Sequence, residues 1–273
     1  MSWQWPAGAA CGFLIALVTT PAGVSGAVLL LPVQLSVLRV PVAAVTPTNL
    51  LFNVIAVPGG LLRFWQERRL FSSLSALLLA GTLPGVIAGA IIRVEYLSGD
   101  RTFMFIAAGV LLPLGLWLLL GAQRVSRERP RPSRRGRRLI VVLALAIGTV
   151  GGIYGIGGGS LLAPILIAAG FSAYEVAPAT LLATFLTSIA GIATYQLLQV
   201  THGGAVAPDW ILGMSMGLGG FLGSYAGARL QSRLPEDSLR RLLGLVACLV
   251  AARYTQAALS QAHNRPTSHA ISH

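Results

Sequence analysis

One apolar stretch of this chain, from Leu139 to Phe171, has six glycines concentrated between Gly151 and Gly159. At roughly 33 residues it is too long for a single membrane helix, which needs about 20. Each glycine destabilises a helix interior by about 1 kcal/mol relative to alanine and adopts backbone angles that other residues avoid. The stretch therefore predicts a helix that breaks at membrane depth, where irregular backbone is stable only when it is buried in protein or lines a cavity.

The composition of the whole chain is that of a membrane protein. Hydrophobic residues make up 55% of the chain and charged residues only 10%, whereas a soluble domain has about 25% charged residues. Several apolar runs are long enough to cross a bilayer, and the spans predicted in the first half include Val42–Leu62, Ser72–Ile92 and Thr102–Leu120. The sequence predicts an all-α polytopic membrane protein in contact with lipid, which we place in the inner (cytoplasmic) membrane with several crossings. A large soluble helical protein is the alternative.

The second half of the chain repeats the plan of the first half. The Pro21–Gly26 break corresponds to the Gly151–Gly159 stretch, and Pro32 corresponds to Pro164. The segment Ala44–Leu50 corresponds to Glu175–Leu181. Three glycines spaced four apart also occur in each half: Gly81, Gly85 and Gly89 in the first, and Gly219, Gly223 and Gly227 in the second. Small residues four apart allow close helix packing. We predict two membrane repeats, residues 8–121 and 139–259, each with a Gly/Pro-broken hairpin-like segment and three transmembrane helices. An Arg-rich cytoplasmic linker, residues 122–138, joins the repeats, and residues 260–273 form a polar tail.

The arginines predict how the two repeats are oriented. Eight arginines lie between Gln123 and Leu139 and four between Arg229 and Arg241, whereas residues 199–209 have none. Positive residues favour the cytoplasmic side. The linker and Arg229–Arg241 are therefore expected inside the cell, and residues 199–209 are expected outside. This arrangement makes the second repeat inverted relative to the first. Whether the broken segments are re-entrant hairpins or full crossings stays open. The linker is interpreted as a topology anchor that can also bind anionic lipid headgroups, and not as a nucleic-acid site, because it has no interleaved aromatic residues.

Two groups of residues are the candidate substrate site. Where a helix restarts after a break, free N–H groups and the positive end of the helix dipole favour an oxyanion. The second group is polar and helical, and its members are paired four residues apart on one helix face. The predicted substrate-binding residues are Ser25, Gly26, Asn49, Asn53, Gly157, Gly158, Gly159, Ser160, Thr180 and Thr184. The alternatives are that the glycines only permit tight packing and that the polar residues only form hydrogen bonds between helices.

The sequence offers little to an enzyme or a nucleotide-driven pump. It contains no Ser/His/Asp triad pattern, no zinc-ligand spacing and no P-loop lysine, and its two cysteines, Cys11 and Cys248, are far apart in the chain. Such a pattern supports neither a metal site nor a disulfide framework. We therefore expect no catalytic residues, no metal and no cofactor. The oligomeric state is left open.

The motifs as a set are similar to those of a known family. The glycine stretch followed by Ser160–Pro164, then Pro178–Leu181 with Gly191 and Tyr195, resembles the TauE/SafE sulfite-exporter family, and so do Pro47–Asn53 and Pro58–Gly60 in the first repeat. The similarity covers nearly the whole chain outside the linker and tails. The first break, Pro21–Gly26, departs from the pattern because it has fewer glycines than its counterpart.

The resemblance implies transport of small anions, particularly sulfite and organosulfonates, usually as export. We therefore expect a secondary transporter or facilitator, with a non-transporting membrane scaffold or assembly factor as the alternative. The tips of the two broken segments, Thr20–Gly26 and Tyr154–Ser160, are expected to approach each other near the middle of the membrane, as in other transporters with inverted repeats. The identity of the anion, the coupling ion and the direction of net flux stay open.

Overall fold

The computed structural model describes residues 4–36, 38, 40–95, 133–202 and 208–263, together with residues 112, 113, 116, 119 and 120. This described part of the chain is helical and contains no β-strand. Its helices are α1 (Gln4–Thr19), α2 (Ala27–Ser36), α3 (Val42–Gln66), α4 (Ser73–Glu95), α5 (Arg134–Tyr154), α6 (Leu162–Ala168), α7 (Ala173–His202), α8 (Trp210–Gln231) and α9 (Glu236–His263). Most of the span predicted at Thr102–Leu120, the first part of the linker and the tail from residue 264 lie outside the described residues.

Five of these helical segments are long and apolar enough to cross a membrane: Gln4–Ala22, Ala44–Gln66, Ser73–Glu95, Arg134–Tyr154 and Ala173–Val200. Because the described residues are mainly helical and contain no strand, these segments confirm the predicted all-α polytopic membrane protein. The spans predicted at Val42–Leu62 and Ser72–Ile92 correspond to α3 and α4, and each helix continues for a few residues beyond the prediction.

The first broken segment breaks where proline and glycine predicted it. Helix α1 ends at Thr19, and a 3₁₀ turn, Thr20–Ala22, places Pro21 in its first turn. Gly23 follows with φ of 77°, a left-handed conformation that favours glycine. Helix α2 then starts at Ala27. The break is therefore a compact turn within the apolar segment, and its residues from Thr19 to Val28 are all buried.

The second broken segment has a similar turn at the corresponding place. Helix α5 ends at Tyr154, and the next residue, Gly155, has φ of 69°. Gly157 is also left-handed, with φ of 76°, before helix α6 starts at Leu162. All residues from Gly151 to Pro164 are buried. The irregular backbone is thus enclosed by protein, as a break at membrane depth requires.

In each break, one left-handed glycine packs against a helix of the other half of the chain. A Cβ atom on Gly23 would lie 2.7 Å from Cα of Ala177 in α7, and one on Gly155 would lie 3.0 Å from Cα of Thr46 in α3. Real Cβ atoms need more space than this, so both positions require the absence of a side chain as well as a permissive backbone. These equivalent contacts support our proposed division into two repeats.

The glycine stripes on α4 and α8 also cross between the two halves. Gly81, Gly85 and Gly89 of α4 lie directly against the carbonyl groups of Val141, Leu145 and Thr149 in α5. In the same manner, Gly219 and Gly223 of α8 lie against the carbonyl groups of Ala9 and Phe13 in α1. Each stripe therefore packs on the first helix of the other half, as close packing of small residues permits. The inverted orientation of the repeats stays a prediction.

A polar network fastens the first break to the ends of two long helices. The guanidinium group of Arg69, in the loop after α3, donates to the carbonyl of Tyr174 and to Oε1 of Gln231, the latter at 3.2 Å. It also forms an ion pair with Glu67 at 2.8 Å. The buried amide of Gln231 donates in turn to the carbonyl of Pro21 at 2.8 Å. This network holds the 3₁₀ turn of the first break against α7 and α8.

Candidate functional site

The two breaks meet in the interior of the protein. The backbone N–H of Ser25, in the first break, donates to Oγ of Ser160, in the second break, at 3.2 Å. Both residues are at most 2% exposed. The expected approach of the two tips is therefore present, and their contact is a direct hydrogen bond between polar groups.

This contact belongs to a chain of hydrogen bonds that runs from α3 to α7. The hydroxyl of Ser25 donates to Oδ1 of Asn53. On the other side, Oγ of Ser160 lies 3.4 Å from Oγ1 of Thr184 and donates to the carbonyl of Ile156 at 3.0 Å. Asn53 and Thr184 are fully buried. Four of the predicted site residues are thus joined in one continuous chain of neutral polar groups.

Several buried hydrogen-bond donors around this chain of hydrogen bonds have no acceptor among the described residues. One is Nδ2 of Asn53, which is buried and unpartnered. Others are buried backbone N–H groups of the second break, among them those of Gly157, Gly159 and Ser160, which donate to no described group. Orphaned buried N–H groups are rare in proteins, and water or a ligand usually satisfies them. The meeting point of the tips therefore has an excess of donors, which is suited to an anion.

The glycines of the second break are also closely packed, as the alternative interpretation expected. The N–H of Gly158 is already used, since it donates to Oγ1 of Thr187 at 3.0 Å. A Cβ atom on Gly157 would overlap the methyl group of Thr184, and one on Gly159 would overlap the carbonyl oxygen of Thr180. A Cβ atom on Gly26 would likewise lie only 3.1 Å from the ring of Phe52. Tight packing and free N–H groups therefore occur in the same turn.

The remaining two predicted residues hold the breaks in position. Oγ1 of Thr180 donates to the carbonyl of Gly23 at 2.8 Å, which ties α7 to the first break. Nδ2 of Asn49 donates to the carbonyl of Ala27 at 3.4 Å, and its Oδ1 accepts from Nε2 of Gln34 at 2.6 Å. The structure thus brings Ser25, Asn53, Ser160 and Thr184 together, and it places Thr180 and Asn49 around them.

Gln34 is a member of the site that the sequence reasoning missed. It lies in the short helix α2 and is fully buried, and its Oε1 has no partner among the described residues. Thr187, which accepts from the N–H of Gly158, is also fully buried. The signal for Gln34 was present, because a lone amide in an apolar membrane segment is costly and marks a functional position by default.

A narrow cleft opens beside the two tips. It has room for about one water molecule, too little for an oxyanion. Its lining comes from the first break and α2 (Val24, Val28), from the second break and α6 (Ser160, Leu161, Pro164) and from α9 (Leu243, Val246, Ala247). The tips are therefore closed on each other in this conformation, and α9 covers them.

Two broken membrane helices that meet at a buried polar site, within a polytopic helical bundle, are the architecture of a membrane transporter. The comparison with known sequences agrees with this class. The profile of the family described as "Sulfite exporter TauE/SafE" matches residues 8–254, so this chain belongs to that family.

Curated relatives carry names of the same class. The chain is 22% identical over 260 residues to "Probable membrane transporter protein YunE" of Bacillus subtilis (strain 168), covering 88% of this chain and 93% of that protein. It is 26% identical over 250 residues to a "Probable membrane transporter protein" of Xylella fastidiosa (strain Temecula1 / ATCC 700964), covering 89% and 90%. A shorter match, 37% identical over 87 residues, is to "Sulfite exporter TauE/SafE family protein 1" of Arabidopsis thaliana, covering 31% of this chain and 19% of that protein.

Proposed function

We propose that the protein is a secondary transporter or facilitator that exports small oxyanions, such as sulfite or organosulfonates, across the inner (cytoplasmic) membrane. The observation that carries this proposal is the group of unpartnered buried donors where the two breaks meet: Nδ2 of Asn53 and the N–H groups of Gly157, Gly159 and Ser160. The names of the family and of the Arabidopsis relative support sulfite as the first substrate to test.

Neutral donors suit a transported anion better than a fixed cation would. Backbone N–H groups at a turn bind oxyanions by several short hydrogen bonds, and glycine lets the anion approach the backbone. Hydrogen bonds to a charged group contribute about 1.5–3 kcal/mol each. A few such bonds replace part of the anion's hydration without holding it as a buried ion pair would, so the anion can also leave.

Transport requires the two tips to separate. In this conformation Ser25 donates to Ser160, and the cleft beside them has room for about one water molecule. We therefore propose that this conformation is a closed one, in which the two tips block the passage of an anion between them. Inverted repeats would open the site to one side and then to the other by rocking about the contact of the tips. Such a cycle needs no bound cofactor.

The alternative is a membrane scaffold or assembly factor that transports nothing. Purified protein in liposomes separates the two functions when flux is measured for sulfite, sulfate, methanesulfonate and acetate under imposed gradients. The proposal expects flux of at least one sulfur oxyanion and reduced flux in Ser160→Ala, which removes the hydroxyl at the contact of the tips. Folded, monodisperse protein that moves none of the four anions would favour the scaffold.

A matched control for these variants is Thr194→Val. Thr194 lies on α7, the helix that carries Thr184, and its hydroxyl donates only along its own helix, to the carbonyl of Ala190 at 2.8 Å. The substitution removes a threonine hydroxyl from the same helix without touching the contact of the tips. Flux by Thr194→Val is expected to equal that of the unaltered protein, and a loss of flux in this control would mean that substitutions on α7 act through folding.

A further inference from the structure

The peptide group of Ala27, at the start of α2, belongs to two hydrogen-bond chains. Its carbonyl accepts from Nδ2 of Asn49, at 3.4 Å. Its N–H donates to Oγ of Ser25, at 3.2 Å. A backbone carbonyl can only accept, so the first chain cannot reverse its direction. In the second chain the direction is given by the Ser25 hydroxyl, which donates to Oδ1 of Asn53.

The chain from the carbonyl of Ala27 ends on a free acceptor. Since Nδ2 of Asn49 donates to that carbonyl, the other end of the Asn49 amide is Oδ1, which must accept. It accepts from Nε2 of Gln34 at 2.6 Å. The amide orientation of Gln34 is then determined as well, and its Oε1 is left buried and without a donor among the described residues.

The chain from the N–H of Ala27 ends on a free donor. Oγ of Ser25 accepts from that N–H, so the Ser25 hydroxyl proton is available to donate, and Oδ1 of Asn53 accepts it. The amide of Asn53 therefore presents Nδ2 as its remaining end, which is buried and unpartnered. Asn49 and Asn53 are one turn apart on one face of α3, about 5–6 Å between their Cβ atoms.

We propose that, among the oxyanions it carries, the site prefers a monoprotonated one, a small anion that bears one O–H group, over anions without a proton, and that Gln34 determines this preference. The inference rests on the proposed function. The anionic oxygens accept from Nδ2 of Asn53 and from the free N–H groups of the second break, and the O–H donates to Oε1 of Gln34. An anion without a proton can only accept, so it leaves the Gln34 oxygen unsatisfied and faces its partial negative charge.

The first test compares two substrates with the unaltered protein in liposomes at several pH values. Sulfite takes up a proton near neutral pH, whereas methanesulfonate stays deprotonated. The proposal expects the half-saturation concentration of total sulfite to rise with pH, in inverse proportion to its hydrogensulfite fraction, while that of methanesulfonate stays constant. A half-saturation concentration of total sulfite that does not change with pH would overturn the proposal.

The second test uses Gln34→Met, which keeps the length of the side chain and removes its acceptor, with Thr194→Val as the control. We expect Gln34→Met to raise the half-saturation concentration for sulfite about 10-fold and to leave that for methanesulfonate unchanged or lower. An equal loss for both substrates would make Gln34 a support for Asn49 alone, and no change for either would mean that its oxygen faces only water. Both outcomes contradict the proposed selectivity.

The two proposals fail in different ways. If the unaltered protein transports neither substrate, the proposed oxyanion transport itself fails. If it transports both, and the first test shows no pH dependence for sulfite, oxyanion transport stands and the selection of a protonated form is wrong. The pH test uses unaltered protein, so it decides the question even where Gln34→Met fails to fold.

Discussion

The N–H of Ser25 donates to Oγ of Ser160 at 3.2 Å, although the two residues are 135 positions apart in the chain. This hydrogen bond joins the two helix breaks, and each partner has a second polar neighbour on a long helix, Asn53 on α3 and Thr184 on α7. A single contact therefore couples both halves of the chain at the proposed anion site.

Thr184→Val tests the α7 side of this site. Valine keeps the shape of threonine and deletes the hydroxyl that lies 3.4 Å from Oγ of Ser160. Loss of one hydrogen bond to a charged partner costs on the order of 1.5–3 kcal/mol, hence roughly 10- to 150-fold in affinity. We expect a folded, abundant variant whose half-saturation concentration for sulfite is raised by this factor. An unchanged value, together with an unchanged Thr194→Val control, would assign Thr184 to packing.

Gly159→Ala tests how closely the second break packs on α7. Its Cβ atom would overlap the carbonyl oxygen of Thr180, a backbone group that cannot turn aside. Overpacking of this kind typically costs about 1–3 kcal/mol. We expect a lower melting temperature and loss of transport, and the same for Gly158→Leu, whose side chain would collide with Thr82 and Thr187.

The control for the glycine variants is Gly8→Ala on α1. There the new Cβ atom would come closest to the side chains of Leu212 and Met216, each at 3.1 Å, and these can adjust. This variant is expected to keep nearly all of its stability and transport. A Gly159→Ala protein as stable as Gly8→Ala would show that the second break is not held as tightly as described.

The positions of both breaks could be predicted from the sequence because their causes are local. Pro21 removes a helical hydrogen bond, and Gly23 and Gly155 adopt left-handed backbone angles. Each of these effects interrupts the helix at that residue, whatever the residue packs against. The partners of these glycines could not be predicted, because the contact of Gly23 with Ala177 depends on how two distant helices pack.

Within the site, the sequence identified polar residues but not what each one binds. Asn49 and Asn53 share a helix face, yet Asn49 is used to hold Ala27 and Gln34, while Asn53 keeps a free donor. Gly158 was predicted to offer its N–H to an anion, and in this conformation that N–H donates to Thr187. Helical periodicity indicates which residues face the same way, whereas the choice among nearby acceptors is made by three-dimensional distances.

Gln231→Leu tests the network that holds the first break. The substitution leaves the carbonyl of Pro21 without the donor that now lies 2.8 Å away and removes an acceptor from Arg69. Removing one partner of a buried hydrogen bond costs about 1–3 kcal/mol. We expect a lower melting temperature in detergent and a reduced maximal rate of transport, with the half-saturation concentration unchanged because no residue that faces the anion is altered. A changed half-saturation concentration at full stability would contradict this purely supporting role.

The inverted orientation of the repeats has a direct test in intact cells. Single cysteines at positions 203 and 235, introduced into a background lacking Cys11 and Cys248, are labelled with a reagent that does not cross the membrane. The arginine distribution predicts labelling at position 203 and none at position 235 until the cells are opened. Labelling of both positions from the same side would contradict the inverted arrangement.

The central claim is that a small oxyanion passes between the two tips, and a reversible cross-link between them tests it most directly. Ser25→Cys and Ser160→Cys are combined in a background lacking Cys11 and Cys248, because the hydrogen bond between Ser25 and Ser160 shows that these two positions are neighbours. Sulfite flux is measured in liposomes before oxidation, after oxidation and after reduction, and mass spectrometry determines the cross-linked fraction. The account predicts that flux falls in proportion to the cross-linked fraction and returns on reduction, whereas full cross-linking with undiminished flux would contradict it.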